Sequence, residues 1–294
     1  MRENILKQNA AARLLPAGRL TGKKRADLLL EILMILLAAI MAIPVYYLIV
    51  TTFKTPAEAI ADPLGLPSRL GFEIYIKAWK AMEYPKAFRN SFVITVSSVS
   101  ILVFVSSMAA YPLARRNHRL NRILFFGILA GTMVPYHMAL IPLYKLVISL
   151  KLMNTLIGVI LIASFTHVPF AVFLFTGFIR TIPVELDEAA YLDGCTVFRT
   201  FWRITFPLLK PAVGTVIILE SLNIWNDFLT PLLFLQGREK AVILLEVFRN
   251  IGQFSTDWTN LFPMMVLAIA PMLIFYIFMQ KYIIKGIASG AVKG

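Results

Sequence analysis

Long apolar stretches separated by short basic or mixed segments dominate the chain. Near residues 28–50, 91–113, 123–143, 155–178, 212–235 and 261–279, mostly apolar residues run for about 20 positions or more. At 1.5 Å of rise per residue, each stretch is long enough for roughly 30 Å of hydrocarbon. The pattern predicts an all-α membrane protein of six transmembrane helices. The fifth stretch is the least uniform, because Glu220, Asn223, Asn226 and Asp227 interrupt it.

Between the first two stretches the pattern changes. Phe72, Tyr75, Ile76, Trp79 and Met82 recur at helical spacing with Lys77 and Lys80 between them. This predicts an amphipathic helix that either lies along the membrane surface or packs on protein. Trp79, Trp225 and Trp258 fall on the outer side of the six-span layout, where tryptophan suits the headgroup region.

Composition agrees with the spans. The chain is 59% hydrophobic and only 15% charged, with a mean hydropathy of +0.75, whereas soluble domains carry about 25% charged residues. A net charge of +13 would suit nucleic acid if it formed one patch, but the basic residues are dispersed between apolar runs, so no nucleic-acid partner is expected. They instead orient the chain, since cytoplasmic loops are enriched in Lys and Arg. Most of the 29 fall in the tail (Arg2, Lys7, Arg13, Arg19, Lys23, Lys24, Arg25), the short link at 115–122, the 180–210 loop and the C-terminal end. Both termini and that loop are therefore expected in the cytoplasm, with 1–27 a basic tail and 28–294 a single transmembrane domain. The apolar run from Leu28 to Val50 is too long for a signal-peptide core and reads as a retained first helix. Cys195 is the single cysteine, and no Cys/His cluster has metal-ligand spacing, so no metal is expected.

The segment 183–211 is more structured than a link between spans needs to be. Pro183 suits a helix start, and Glu185, Asp187 and Glu188 put negative charge near the positive end of the dipole. Gly194 is placed to end that helix at positive φ, and Thr196 to cap a second one that Pro207 and Pro211 would stop. Leu186, Ala189 and Ala190 form a small-sided face that a partner's groove could approach. The segment predicts a helix–turn–helix elbow, bounded by residues 181–210, built for docking.

At these residues the chain resembles the permease family of ATP-binding-cassette importers. The cytoplasmic signature of that family is matched by Glu188, Ala189, Ala190, Asp193, Gly194, Ile204 and Pro207, with Phe206 replacing the usual Leu and Cys195 the common Ala. The resemblance implies that the elbow inserts into a groove on a separate ATPase subunit. It also implies a second homologous permease, two ATPase subunits, an extracytoplasmic solute-binding protein, and a location in the cytoplasmic membrane of a bacterium or archaeon. No cofactor is expected in this chain itself, ATP and magnesium belonging to the ATPase. The nearest phosphate-loop match, Gly18 to Lys24, has the wrong glycine spacing and Lys24 where Ser or Thr would bind magnesium. Stretches from Met133, from Trp225 and from Lys285 resemble sugar permeases of the maltose-transporter type, the last like a tail reaching the ATPase interface.

Ionisable groups inside a bilayer usually face a bundle interior or a watery cavity. Glu220 falls near the midplane of the fifth span, and Asn223 and Asp227 follow on the same face. Glu220, Asn223, Asn226 and Asp227 are therefore candidate pathway-lining residues, interhelical hydrogen bonding being the competing role. His137 and His167 stand near Pro135, Pro142 and Pro169 and read as structural hydrogen-bonders. No nucleophile–base or paired-carboxylate constellation is evident, so no enzyme active site is expected; the resemblance implies a non-catalytic permease subunit for a sugar or oligosaccharide. A self-sufficient secondary transporter or channel is the alternative.

Overall fold

The computed structural model describes residues 18–251 and 257–291, with side chains over 26–251 and 257–280. The tail before Gly18 and the side chains of the C-terminal stretch from Lys285, to which tail and ATPase-interface roles were assigned, lie outside the fully described residues. Among the described residues there is no β-strand.

The chain divides into two compact units with a boundary between Leu70 and Gly71. In the first, α1 (Gly18–Thr51) is apolar from Ala26 onward, and α2 (Pro56–Ala61) follows a tight turn. A capping box fixes the start of α2: Thr55 Oγ1 accepts from the Glu58 N–H, and Glu58 Oε2 accepts from the Thr55 N–H. The hydroxyl of Ser68 also donates to Glu58 and, as the largest influence, holds that carboxyl below its ordinary range.

The second unit contains α3 (Glu73–Ala81), α4 (Tyr84–Arg115), α5 (Arg119–Ala130), α6 (Tyr136–Ser149), α7 (Leu156–Thr181), α8 (Glu185–Leu192), α9 (Val197–Leu208), α10 (Lys210–Trp225), α11 (Leu229–Phe234), α12 (Ile243–Arg249) and α13 (Trp258–Ala291). Among the described residues four helices can cross a membrane on length and composition, and six spans result if each of two bent pairs counts as one. The third stretch is the first place where a span is not one continuous helix. It is not one helix over 123–143: α5 and α6 meet at 101°. Pro135 accounts for the break, because a residue before proline avoids the helical region, and Val134 is extended at φ −83°, ψ 115°. The second such place is the fifth stretch. Its helix α10 ends at Trp225, and α11 begins after Asp227 accepts the Thr230 N–H at 3.1 Å.

The core is centred on α4 and α7. Small residues let the two backbones come close, and Ser98 Oγ donates to the Ile160 carbonyl at 3.2 Å while Ser164 Oγ donates to that of Ser98 at 3.3 Å. Leu102, Ala163, Ala171, Val172 and Phe175 fill the seam. Helix α10 packs on α4 and α13, where the Trp225 indole donates to the Ala268 carbonyl at 3.2 Å. Trp225 is thereby buried between helices rather than placed at a headgroup, while Trp79 and Trp258 remain exposed. In α3, Ala78 and Met82 turn into the protein, and Phe72, Ile76 and Trp79 stay outside.

Candidate functional site

The elbow forms as two helices joined by a defined turn. Helix α8 ends in a Schellman motif: Cys195 N–H donates to the Ala190 carbonyl at 2.9 Å, and Gly194 N–H to that of Tyr191 at 3.0 Å. Gly194 sits at φ +77°, the left-handed conformation that glycine adopts at no steric cost. Thr196 then caps α9, accepting from the Arg199 N–H at 3.3 Å. The expected stop signals act differently from the sequence reading. Pro207 does not end the second helix; it follows a widened π turn over Phe201–Thr205. There its ring would otherwise meet the Arg203 carbonyl. The chain turns by 74° at Leu209, and Pro211 lies in the first turn of α10.

The two faces of α8 have separate tasks. Ala189, Asp193 and Glu188 point outward beside the exposed apolar side chains of Leu186, Leu192 and Phe198. Ala190 departs from the expected docking face: it is 3% exposed and turns into the protein with Asp187. Asp187 is the residue that sequence reasoning undervalued. Arg115 Nε, in the last turn of α4, lies 2.7 Å from its Oδ2, and Thr205 Oγ1 donates to its Oδ1 at 3.2 Å. Arg115 Nη1 also donates to the Ile182 carbonyl at 2.9 Å, just before α8. One clasp thus joins a span, both helices of the elbow and the approach to it. Beside it a cavity of about 660 Å³ opens between α4 and the elbow, with Tyr111, Arg115, Glu188 and Phe198 among its walls. The departures from the signature fit this packing, since Phe206 packs against Trp202 with ring centres 4.7 Å apart and planes tilted by 56°, and Cys195 gives its backbone N–H to the turn.

The four intramembrane candidates separate. Glu220 is fully buried, and its Oε2 lies 2.7 Å from His167 Nδ1 on α7 and accepts from Asn223 Nδ2 at 3.3 Å. Asn223 and Asp227 line a cavity of about 430 Å³ with Tyr136, Thr166, His167 and Thr230. Tyr136 and Thr230 close one wall through hydroxyls 2.9 Å apart. Asn226 is exposed at the end of α10 and is not among the residues of that wall. The cavity's hydroxyl, amide and carboxylate groups can accept from and donate to a polyhydroxylated ligand.

A third polar cluster stands where α12 meets the start of α4. Buried Glu246 receives Arg238 Nε at 3.2 Å and Arg249 Nη1 at 2.6 Å, and Asn90 Nδ2 donates to the carbonyls of Glu239 and Ala241. These bonds fix the segment after α11 and leave its arginines engaged with protein.

Broken spans around a cavity that Asn223 and Asp227 help to line, with a clasped elbow at one end of the bundle, define a multi-pass membrane transport component. Residues 102–289 match the family described as "Binding-protein-dependent transport system inner membrane component". The chain belongs to that family, as a permease component of the inner membrane rather than an enzyme. It is 35% identical over 264 residues to the melibiose/raffinose/stachyose import permease protein MelC of Bacillus subtilis, covering 88% of this chain and 95% of the relative. It is also 35% identical over 269 residues to the arabinooligosaccharides transport system permease protein AraQ of the same organism, covering 90% and 95%. Among solved structures, a bacterial ABC transporter involved in the import of the acidic polysaccharide alginate contains a chain that superposes with a TM-score of 0.78. That match is 21% identical and covers 89% of this chain and 97% of the other, and it establishes the likeness of fold.

Proposed function

We propose that this chain forms, with a second homologous permease subunit, the translocation pathway for a sugar or oligosaccharide, and that its elbow docks on one of two separate ATPase subunits. ATP and magnesium are bound by those subunits, and an extracytoplasmic solute-binding protein delivers the cargo. The elbow and both termini then face the cytoplasm, in keeping with the basic residues around them.

The observation that carries this reading is the Asp187 clasp. An elbow pinned to α4 by Arg115 and closed internally by Thr205 moves as a unit with the span, so a force applied to its outer face reaches the bundle. That outer face is apolar at Leu192 and Phe198, the kind of exposed surface that marks a protein contact. The sugar class is supported by the names of the relatives above and by the polar side chains of Asn223 and Asp227 in the cavity wall.

The test is copurification and reconstitution. An affinity-tagged chain extracted from its native membrane should bring with it a second permease and an ATPase. Vesicles containing that assembly should accumulate labelled oligosaccharide only with the binding protein and internal ATP. Accumulation by the chain alone, without ATP, would instead establish a self-sufficient transporter.

A further inference from the structure

We propose that the elbow side of the bundle carries a binding site for one anionic phospholipid, its phosphate held by Arg116, Arg122 and Arg180 and an acyl chain laid along α5. A cavity of about 490 Å³ lies where the ends of α4 and α7 meet the start of α5, and these three arginines and His118 line it. The turn that builds it is fixed, because Asn121 Nδ2 donates to the carbonyls of Pro112 at 2.9 Å and Arg116 at 3.1 Å. Among the described residues no carboxylate lies within 4 Å of any of the three guanidinium groups. Three like charges converging without an acid favour an anion between them.

Two of the arginines lie against apolar walls. The Arg122 guanidinium carbon is 5.9 Å from the centre of the Phe126 ring, and that of Arg180 is 5.5 Å from the centre of Phe125. Phe126 also begins a second cavity, of about 440 Å³ and almost wholly apolar, walled by Leu129, Met133, Phe170 and Phe173 between α5 and α7. The charged chamber and the apolar groove therefore share the Phe126 ring as a wall. Between Arg119 and Ala130 helix α5 rises about 17 Å, close to the half-thickness of roughly 15 Å that one leaflet's chains occupy. A phospholipid with a net negative head satisfies both chambers; inorganic phosphate fills only the first. Basic pockets between spans on the cytoplasmic side bind such heads.

The whole transporter assembly, released from vesicles of phosphatidylglycerol and phosphatidylcholine, tests this by native mass spectrometry. One phosphatidylglycerol per copy of this chain should be retained in preference to phosphatidylcholine. The double substitution Arg122→Gln/Arg180→Gln should weaken retention about thirtyfold, while Arg199→Gln/Arg203→Gln, which removes equal charge from the exposed elbow, should leave it unchanged. A photoreactive group on the acyl chain should label peptides within 120–133 of the unsubstituted assembly, which keeps the test open if the double variant does not assemble. Equal retention of the two lipids, equal effects of the two double variants, full displacement by excess inorganic phosphate, labelling elsewhere, or crosslinks placing the second permease over both cavities would each overturn the proposal.

Discussion

Arg115 Nε stands 2.7 Å from Asp187 Oδ2, so the last turn of α4 holds the elbow through an ion pair whose side chains are 11% and 5% exposed. A charge pair this dry contributes mainly by being complete. Removing one partner strands the other, whereas replacing both with apolar groups does not.

Asp187→Ala should therefore destabilise the assembled transporter by about 3 to 5 kcal/mol and uncouple ATP hydrolysis from uptake. Arg115→Met/Asp187→Leu should recover most of the stability but not the coupling, because Thr205 and Ile182 lose their shared anchor. Thermal denaturation and the ratio of ATP hydrolysed to sugar accumulated measure the two effects separately. An Asp187→Ala protein that melts with the parent would show the clasp to be dispensable.

The turn makes a different kind of prediction. A Cβ built on Gly194 meets nothing within 4 Å, yet its φ of +77° remains unfavourable for any L side chain. Gly194→Ala should cost about 1 to 2 kcal/mol, and Gly194→Asn less, since Asn tolerates the left-handed region. In the chain without its partners, Ala and Leu at this position should be equivalent; in the full assembly, Leu should be worse because the docked ATPase occupies the space outside. Equal behaviour in the assembly would place Gly194 away from the docking surface.

These two residues mark how far the sequence could be read. Gly194 was legible because a glycine four positions after an alanine pair, followed by Thr196, leaves few other ways to end one helix and cap the next. The six apolar stretches were legible for a similar reason: length against bilayer thickness is a one-dimensional test. Asp187 was not, because in a helix of eight residues with three acids in its first turn, no pattern says which acid turns inward. Burial of that carboxylate depends on Arg115, 72 positions away in sequence. The bends were half legible. Pro135 announced the break, but not the 101° at which the two helices meet. Asn226 shows the limit in the other direction, since the break of α10 at Trp225 turned it away from the face that the ideal helical repeat assigned to its neighbours.

His167 and Glu220 give a prediction inside the bundle. Glu220 Oε2 lies 2.7 Å from His167 Nδ1 with Asn223 donating to the same oxygen, which links α7 to α10. A double-mutant cycle of His167→Ala and Glu220→Ala should yield a coupling of about 1 kcal/mol, the scale of hydrogen bonds between membrane helices. Unfolding of the purified chain in a denaturant series measures it, and additive single effects would mean that the contact is not energetically linked.

The cavity beside that pair supplies the last prediction. Asn223 and Asp227 share its wall with Tyr136 and Thr230, whereas Asn226, only one residue from Asp227, lies outside it. If the cavity belongs to the sugar's path, Asn223→Ala and Asp227→Asn should each raise the KM for uptake about fivefold, the loss of one hydrogen bond near 1 kcal/mol. Asn226→Ala should leave KM where it was. ATP hydrolysis stimulated by the binding protein should change little in all three, because the elbow and its clasp are untouched. Should Asn223→Ala and Asn226→Ala raise KM equally, the substrate would run along a different face of α10. A loss of stimulated hydrolysis in Asn223→Ala instead would show that the Glu220 network, rather than direct sugar contact, is what Asn223 serves.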